Sequence, residues 1–418
     1  MYKKNKYKYI IIMIVLLLIC NYIKVFANET EENEELINEI NQTIIETSGN
    51  ITQEPIINAR SAVIFDRTTK KVMWGKKQDE VRAMASTTKI MTAIVVLENS
   101  NLKDIVTISK KAANTSGSCL EINTGNKISV NDLLYGLMLR SGNDAAVALA
   151  EYVGGSVEGF ATLMNKKAKE LNLENTNFVT PHGLDNENHY TTAYELAVLT
   201  DYALNNKQFS KIVNTKKTTI YISGVPRKIA NTNELLGNLK GVDGVKTGYT
   251  GNAMRCLVTS CTRNGNQIIT VVLGSDTKKQ RTSDSIKLIE YAFANYERIN
   301  IEEIVKKEFE KWKQINLKRI YINKAQTQNI VLTLKEFENK IIPLKKGEEK
   351  DIEVEINCIY EHEAPVKEHT KIGNLIIKKN NKIIEKVDIE CSKTVEKKNV
   401  YDYFTYFLNE LIREKLII

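Results

Sequence analysis

The sequence predicts a mixed α+β protein with two folded domains, in which antiparallel strands flank a helical insert and a small β-rich domain follows. Three observations lead to this prediction. At 418 residues the chain exceeds the usual size of one domain. Hairpin patterns stand at both ends of residues 58–297, with helical periods between them. Beyond about residue 298, short β-branched runs replace the helical periods.

The N-terminal residues have the organisation of a secretory signal peptide. Lysines between Lys3 and Lys8 precede the apolar run Ile10–Ile19, and Val25-Phe26-Ala27 places small or short residues at the −3 and −1 positions of a signal-peptidase site. This run has about half of the ~20 residues that a membrane-spanning helix needs, so cleavage is favoured and a retained anchor is the alternative. We therefore predict that residues 1–27 are a signal peptide and that the mature protein is exported.

Charge and cysteine content describe the exported part. Residues 28–57 contain eight Glu and neither Lys nor Arg, which predicts a flexible acidic spacer. The formal charge of residues 58–418 is about +11, which suits an anionic surface and equally an ordinary solvated one. Nucleic acid is not expected as a partner after export. Five widely spaced cysteines without a CxxC pair predict buried thiols rather than a disulfide framework.

The first predicted domain, residues 58–297, opens with a hairpin and continues with helices. Ser61–Asp66 and Lys71–Trp74 are joined by a polar turn, as in a hairpin. After Ser86, apolar residues recur at helical spacing. The further predicted helices are 131–140, which starts with a capping box, 144–153, Val157–Leu171 and Ala193–Leu204.

The same domain closes with a strong hairpin signal. Ala253–Thr262 and Gln267–Leu273 are joined through Asn264-Gly265, which suits the positive φ angles of a type I′ turn. Ser283–Tyr296 is predicted to be the closing helix.

Two further segments follow. Residues 298–395 contain β-rich runs such as Ile330–Leu334 and Ile352–Ile359, which predict the small β-rich domain. Residues 396–418 predict an amphipathic helix, which can lie in a membrane interface or dock on protein. Its apolar side comprises Val400, Tyr403, Phe404, Phe407, Leu408, Leu411 and Leu416.

Three short polar motifs occur in order in the first domain. They are Ser86-Thr87-Thr88-Lys89, Ser141-Gly142-Asn143 and Lys246-Thr247-Gly248. The S-x-x-K pattern also starts at Ser100 and at Ser275, so the first motif is weak by itself. Ser86 differs from both because it stands where a turn enters an apolar-periodic helix.

The first motif has the chemistry of a nucleophile and its base. Residues i and i+3 share a helix face, so the Lys89 amine can reach the Ser86 hydroxyl. A lysine acts as a base only when its pKa is lowered, and burial beside a second cation such as Lys246 lowers it.

The second motif lies at a junction between two predicted helices. There Ser141 can pass a proton and Asn143 can hold a substrate amide, although plain helix capping explains these residues equally well.

The third motif precedes the closing hairpin and is expected on a strand. Lys246 and Thr247 can bind a carboxylate, while Gly248 lets a ligand approach the backbone closely. The backbone N–H of Tyr249 can be one oxyanion donor, with that of Ser86 as the other. An ordinary edge strand with a solvated lysine is the alternative.

Taken together, the motifs resemble those of the serine D-alanyl-D-alanine carboxypeptidases, the low-molecular-mass penicillin-binding proteins. The strings that carry the resemblance are Ala85–Ala93, Ser141–Ala146, Asn177–Leu184 and Val242–Thr250. It implies a transpeptidase/β-lactamase-like fold over residues 58–297 and, in character only, the family's β domain and membrane-anchoring helix.

The resemblance also implies roles and partners. Ser86 is expected to form the acyl-enzyme, with Lys89 as general base and Ser141 as proton relay. Substrate binding is expected from Asn143, Lys246, Thr247, Gly248, the Tyr249 backbone and Arg281. The implied substrates are peptidoglycan stem peptides ending in D-Ala-D-Ala, and β-lactams are the implied covalent inhibitors. No cofactor or metal is expected, and the protein is expected on the wall side of the cytoplasmic membrane, held peripherally by its C-terminal helix.

Three alternatives remain at this point. A serine β-lactamase needs a carboxylate to activate the deacylating water, and Glu170 ends a lysine-rich helix that is expected at the surface. A zinc peptidase is disfavoured because the four histidines form no H-E-x-x-H, and Pro365 follows His362-Glu363. A catalytically silent wall-binding protein is the third alternative.

Overall fold

The computed structural model describes residues 37–45 and 53–415, with side chains described as far as residue 413. The predicted signal peptide lies outside these residues. Internal packing divides the chain into two compact units, with the division between Asn295 and Tyr296. The predicted α+β fold class is confirmed.

The first unit is built on a five-stranded antiparallel sheet. Its strands are Ser61–Asp66 (β1), Lys71–Lys76 (β2), Val242–Thr250 (β7), Met254–Arg263 (β8) and Asn266–Ser275 (β9). They lie in the order β2-β1-β9-β8-β7, so the hairpins from the two ends of the unit meet in one sheet. At the turn between β8 and β9, Asn264 and Gly265 both have positive φ, 51° and 77°, as the sequence predicts.

Helices and two short ribbons make up the insert and the flanks of the sheet. The ribbons are Ile105–Thr107 (β3) with Lys127–Ser129 (β4), and Lys217–Ile222 (β5) with Val225–Ala230 (β6). The helices are 37–45 (α1), Lys89–Asn99 (α2), Lys110–Ala113 (α3), Val130–Leu139 (α4), Asn143–Gly154 (α5), Val157–Glu170 (α6), Ala193–Leu204 (α7), Lys207–Val213 (α8) and Lys278–Asn295 (α9), preceded at α2 by the 3-10 turn Ala85–Thr88.

Helix α2 is the central element of this unit. It is buried from Lys89 to Val96 and packs against α4, α5, α6, α7 and α8. The predicted cap of α4 forms as expected, because the Ser129 hydroxyl accepts from the Asp132 N–H. Helix α9 begins at Lys278, five residues before the predicted start at Ser283, because the polar residues of its first turns give no apolar period.

Part of the predicted acidic spacer is packed. Residues 37–45 are helical, Ile40 is 2% exposed, and Glu39 pairs with Lys279 of α9 at 2.6 Å. Burial of this apolar residue explains why a segment rich in Glu folds onto the unit here.

The second unit is β-rich and includes a helix that the sequence analysis missed. Ile301, Val305 and Phe309 recur every four residues on this helix and are buried in the unit's core. The elements are Tyr296–Asn300 (β10), Ile301–Asn316 (α10), Tyr321–Asn323 (β11), Leu332–Leu334 (β12), Ile341–Lys345 (β13), Ile352–Cys358 (β14), Glu361–Glu363 (β15), Lys371–Lys379 (β16), Lys382–Cys391 (β17) and Val400–Lys415 (α11), with 3-10 turns at Leu317–Arg319 and Glu348–Asp351. The four-stranded sheet of this unit has the order β12-β17-β16-β14.

Helix α11 presents its apolar side chains to solvent. Val400 is 87% exposed, and Phe404 and Phe407 are each 62% exposed. Within the described residues, none of the helices combines the length and the hydropathy that crossing a bilayer requires.

The cysteines of the described chain are all free thiols. Cys256, Cys261 and Cys391 are buried, whereas Cys119 and Cys358 are partly exposed.

Candidate active site

Ser86 and Lys89 lie together at the start of the central helix. Ser86 stands in the 3-10 turn, and Lys89 is the first residue of α2. The Lys89 amine is 2.8 Å from the Ser86 hydroxyl, as the i, i+3 spacing predicts. Ala85, just before the serine, has φ +49°, a strained backbone conformation that packing of the turn must hold in place.

The environment of Lys89 favours its neutral form. The side chain is fully buried, and its amine also lies 2.7 Å from Asn143 Oδ1 and 2.9 Å from the carbonyl of His182. Burial, reinforced by the nearby charge of Lys246, holds the pKa of Lys89 well below its ordinary value. A lysine in this state can accept a proton from the hydroxyl beside it.

The serines of the two other S-x-x-K matches make different contacts. The Ser100 hydroxyl donates to the Val96 carbonyl at 2.7 Å, which is a helix-end bond. Ser275 donates to Asp284 Oδ2 at 3.0 Å. Of these three serines, only Ser86 bonds to the lysine of its own pattern in the structure.

The second motif enters the site from the loop between α4 and α5. Ser141 is 7% exposed and has φ +59°, so the chain turns sharply there. The Asn143 side chain donates to the Ser116 carbonyl at 2.8 Å, and its backbone N–H donates to the Ser118 carbonyl at 2.7 Å. These bonds fix the amide, and its oxygen therefore faces Lys89.

The third motif lies on β7, the edge strand of the sheet. A Cβ on Gly248 would lie 3.2 Å from the Ser86 nitrogen and 3.2 Å from Ala85 Cβ, so glycine allows the strand to run beside the serine. The Lys246 side chain is buried, and burial together with Arg281 lowers the pKa of Lys246 to about 7. Thr247 Oγ1 lies 2.8 Å from Thr232 Oγ1.

Arg281 reaches the site from α9, and a residue that the sequence analysis missed contacts it. The Arg281 guanidinium is buried against the carboxylate of Glu234. The other oxygen of Glu234 lies 2.8 Å from the Lys278 amine. The Nε atom of Arg281 is buried and has no hydrogen-bond partner within the described chain. No local pattern could connect Glu234 with α9, because the two lie far apart in sequence.

The string Asn177–Leu184 also reaches the site. The carbonyl of His182 bonds to Lys89, and the ring of His189 lies 2.7 Å from Thr88 Oγ1. Burial lowers the pKa of His182 to about 3 and that of His189 to about 4, so both imidazoles are neutral.

An open cleft of about 520 Å³ connects these elements. Lys89, Asn143 and Lys246 are buried and are not among the residues that line this cleft. Across the part of the chain that the structure describes, no cluster of three or more His, Cys, Asp or Glu side chains is arranged to hold a metal ion. The cleft is lined by Ser86, Ser118, Arg140, Ser141, Asn231, Thr232, Glu234, Thr247, Gly248, Tyr249, Arg255, Lys278 and Arg281.

Profiles of known protein families match most of the first unit and part of the second. Residues 48–277 match the profile of a family described as D-alanyl-D-alanine carboxypeptidase, and residues 306–397 match the penicillin-binding protein 5 C-terminal domain. The chain is 34% identical to D-alanyl-D-alanine carboxypeptidase DacF of Bacillus subtilis, over 84% of this chain and 89% of that one.

Solved structures are also similar. Penicillin binding protein 5 from Haemophilus influenzae superimposes with a TM-score of 0.65 at 29% identity, covering 83% of this chain and all of that one. The Streptomyces K15 DD-transpeptidase has a TM-score of 0.56 at 37% identity, covering 58% of this chain and all of that one.

Proposed function

The chain belongs to the family of D-alanyl-D-alanine carboxypeptidases, and on that premise we propose that Ser86 is the nucleophile that forms its acyl-enzyme. The protein is a penicillin-binding serine peptidase that removes the terminal D-alanine from peptidoglycan stem peptides. The assignment of Ser86 rests on one observation above all: the amine of the buried Lys89 lies 2.8 Å from its hydroxyl, with a lowered pKa.

Acylation begins with neutral Lys89 taking the proton of the Ser86 hydroxyl. The oxygen attacks the carbonyl carbon of the penultimate D-alanine, and the backbone N–H groups of Ser86 and Tyr249 stabilise the resulting oxyanion. Ser141 then relays the proton to the leaving amine, so the C–N bond breaks and free D-alanine departs. Asn143 both orients Lys89 and holds the substrate amide.

The terminal carboxylate of the substrate is bound by a hydroxyl and cations from β7 and α9. Thr247 and Arg281 line the cleft, and Lys246 lies behind them. A planar guanidinium and a hydroxyl suit a carboxylate well, and they exclude peptides whose C-terminus is blocked. This requirement makes the enzyme a carboxypeptidase.

Deacylation follows by attack of water on the Ser86 ester, with the same lysine as base. A serine β-lactamase would use an acidic residue for this step. Glu170, the one sequence candidate, is exposed and paired with Lys167 at 2.6 Å, so it contributes no carboxylate to the cleft.

We also propose that the protein is exported and held peripherally at the membrane. The sequence of residues 1–27 and the exposed apolar side of α11 support this location.

Ser86→Ala provides the decisive test of the mechanism. Mass spectrometry of the penicillin-treated wild type is expected to find the drug on Ser86, and the variant is expected to lose both labelling and peptide hydrolysis with an unchanged circular dichroism spectrum. Lys103→Ala, at an exposed residue outside the cleft, is the control. Full labelling of the Ser86 variant would defeat the assignment.

A further inference from the structure

A second cavity, here called the basic groove, adjoins the catalytic cleft. It has a volume of about 900 Å³ and is lined by residues 119–121, Arg140 and the ribbon of β5 and β6. Arg140 lines both cavities. Ser118 of the cleft directly precedes Cys119 of the groove, and Ala230 of the groove directly precedes Asn231 of the cleft. Three chain segments therefore contribute to the lining of both cavities.

The groove is positively charged, and most of its charges are uncompensated. Its lining includes four cationic side chains and one acid, Glu121. Arg227 donates to the Leu120 carbonyl. By contrast, the side chains of Arg140, Lys217 and Lys228 form no hydrogen bond or ion pair with any residue that the structure describes.

The ribbon places the two lysines together. Lys217 pairs with Ala230, and Lys228 pairs with Thr219. Side chains two residues apart on a strand, and those of directly paired residues, share a face. Lys217 and Lys228 therefore lie on one face of the ribbon, where both are exposed.

We propose that the basic groove binds a carboxylate of the substrate peptide that lies upstream of the D-alanyl-D-alanine end, so that the enzyme prefers acidic stem peptides. This inference rests on the proposed function. The terminal carboxylate already has Thr247 and Arg281 in the cleft, so the groove cations are available to a second anion. The guanidinium of Arg140, at the junction, has five N–H donors in a planar fork that matches a carboxylate.

The test compares two peptides that both end in D-Ala-D-Ala. The neutral peptide has no carboxylate besides its C-terminus, and the acidic peptide has one more free carboxylate two or three residues upstream. In the full-length protein, Lys217→Glu/Lys228→Glu is expected to raise KM for the acidic peptide about tenfold. The kcat and KM for the neutral peptide are expected to stay unchanged. High salt should reduce the wild type's preference for the acidic peptide.

The matched control is Lys103→Glu/Lys169→Glu, which makes the same change of charge at two exposed lysines that line neither cavity. Its KM for the acidic peptide should stay within about twofold of wild type. Equal changes for both peptides, or the same selective change in the control, would overturn the proposal. Failure of the proposed function has a different signature, because the wild type would then hydrolyse neither peptide and Ser86 would not be labelled by penicillin.

Discussion

A Cβ atom on Gly248 would lie 3.2 Å from the backbone nitrogen of Ser86, a distance tighter than most Cβ contacts, so strand β7 runs close beside the serine turn. In the mechanism that we propose, a substrate lies along β7 while its carbonyl carbon reaches the Ser86 hydroxyl. That mechanism makes the distance between these two segments a condition for acylation.

Gly248→Ala should slow acylation of Ser86 by penicillin about tenfold to a hundredfold, because the methyl group moves β7 away from the serine turn. The measurement is the second-order rate constant of acylation. Gly251→Ala is the matched control in the turn between β7 and β8, since a Cβ there would meet only Asp185 Oδ2 at 4.0 Å. Equal rates in the two variants would show that the closeness of Gly248 has no catalytic importance.

How far the sequence predicts this site depends on the separation of the partners. Ser86 and Lys89 could be paired because an i, i+3 relation is local and the helix after them has a clear apolar period. Lys246 could be suggested as a second cation because a lysine base needs a lowered pKa, but no local pattern links it to Lys89. Glu234 was missed because its partner Arg281 is 47 residues away and the contact exists only once α9 packs.

The same distinction applies to the fold. The Asn264-Gly265 hairpin was predictable because the turn itself requires positive φ angles. Helix α10 was missed although Ile301, Val305 and Phe309 lie on one face, because the β-branched runs around it dominated the pattern. Early helix turns made of polar residues, as in α9, carry little periodic signal.

The pH dependence of acylation should reflect the protonation of two lysines, one needed neutral and the other needed charged. Burial holds the pKa of Lys89 well below its ordinary value, and Lys89 acts as a base only without its proton. Burial beside Arg281 lowers the pKa of Lys246 to about 7, and Lys246 attracts a carboxylate only with its proton. The rate constant should therefore rise as Lys89 deprotonates and fall as pH increases through about 7.

Lys246→Arg tests the origin of the alkaline fall. Arginine keeps its charge at every accessible pH, so the fall should move upward by at least about two pH units. His182 and His189 cannot cause it, since burial lowers their pKa values to about 3 and about 4. An alkaline limb that stays near 7 in this variant would exclude Lys246 as its source.

Removal of two phenylalanines from α11 should weaken membrane binding. Phe404 and Phe407 are each 62% exposed and lie on the same side of the helix, so a bilayer interface can bury both. Phe404→Ser/Phe407→Ser should reduce the partition constant onto phospholipid vesicles at least about tenfold, since burial of each ring contributes about 1.5–3 kcal/mol. Sedimentation with vesicles measures this constant.

Asn409→Ser, on the opposite face of the helix, is the control and should bind vesicles like the wild type. Hydrolysis of a small soluble peptide should be unchanged in both variants. If the double variant sediments with vesicles as fully as the wild type, the apolar face of α11 must instead dock on protein.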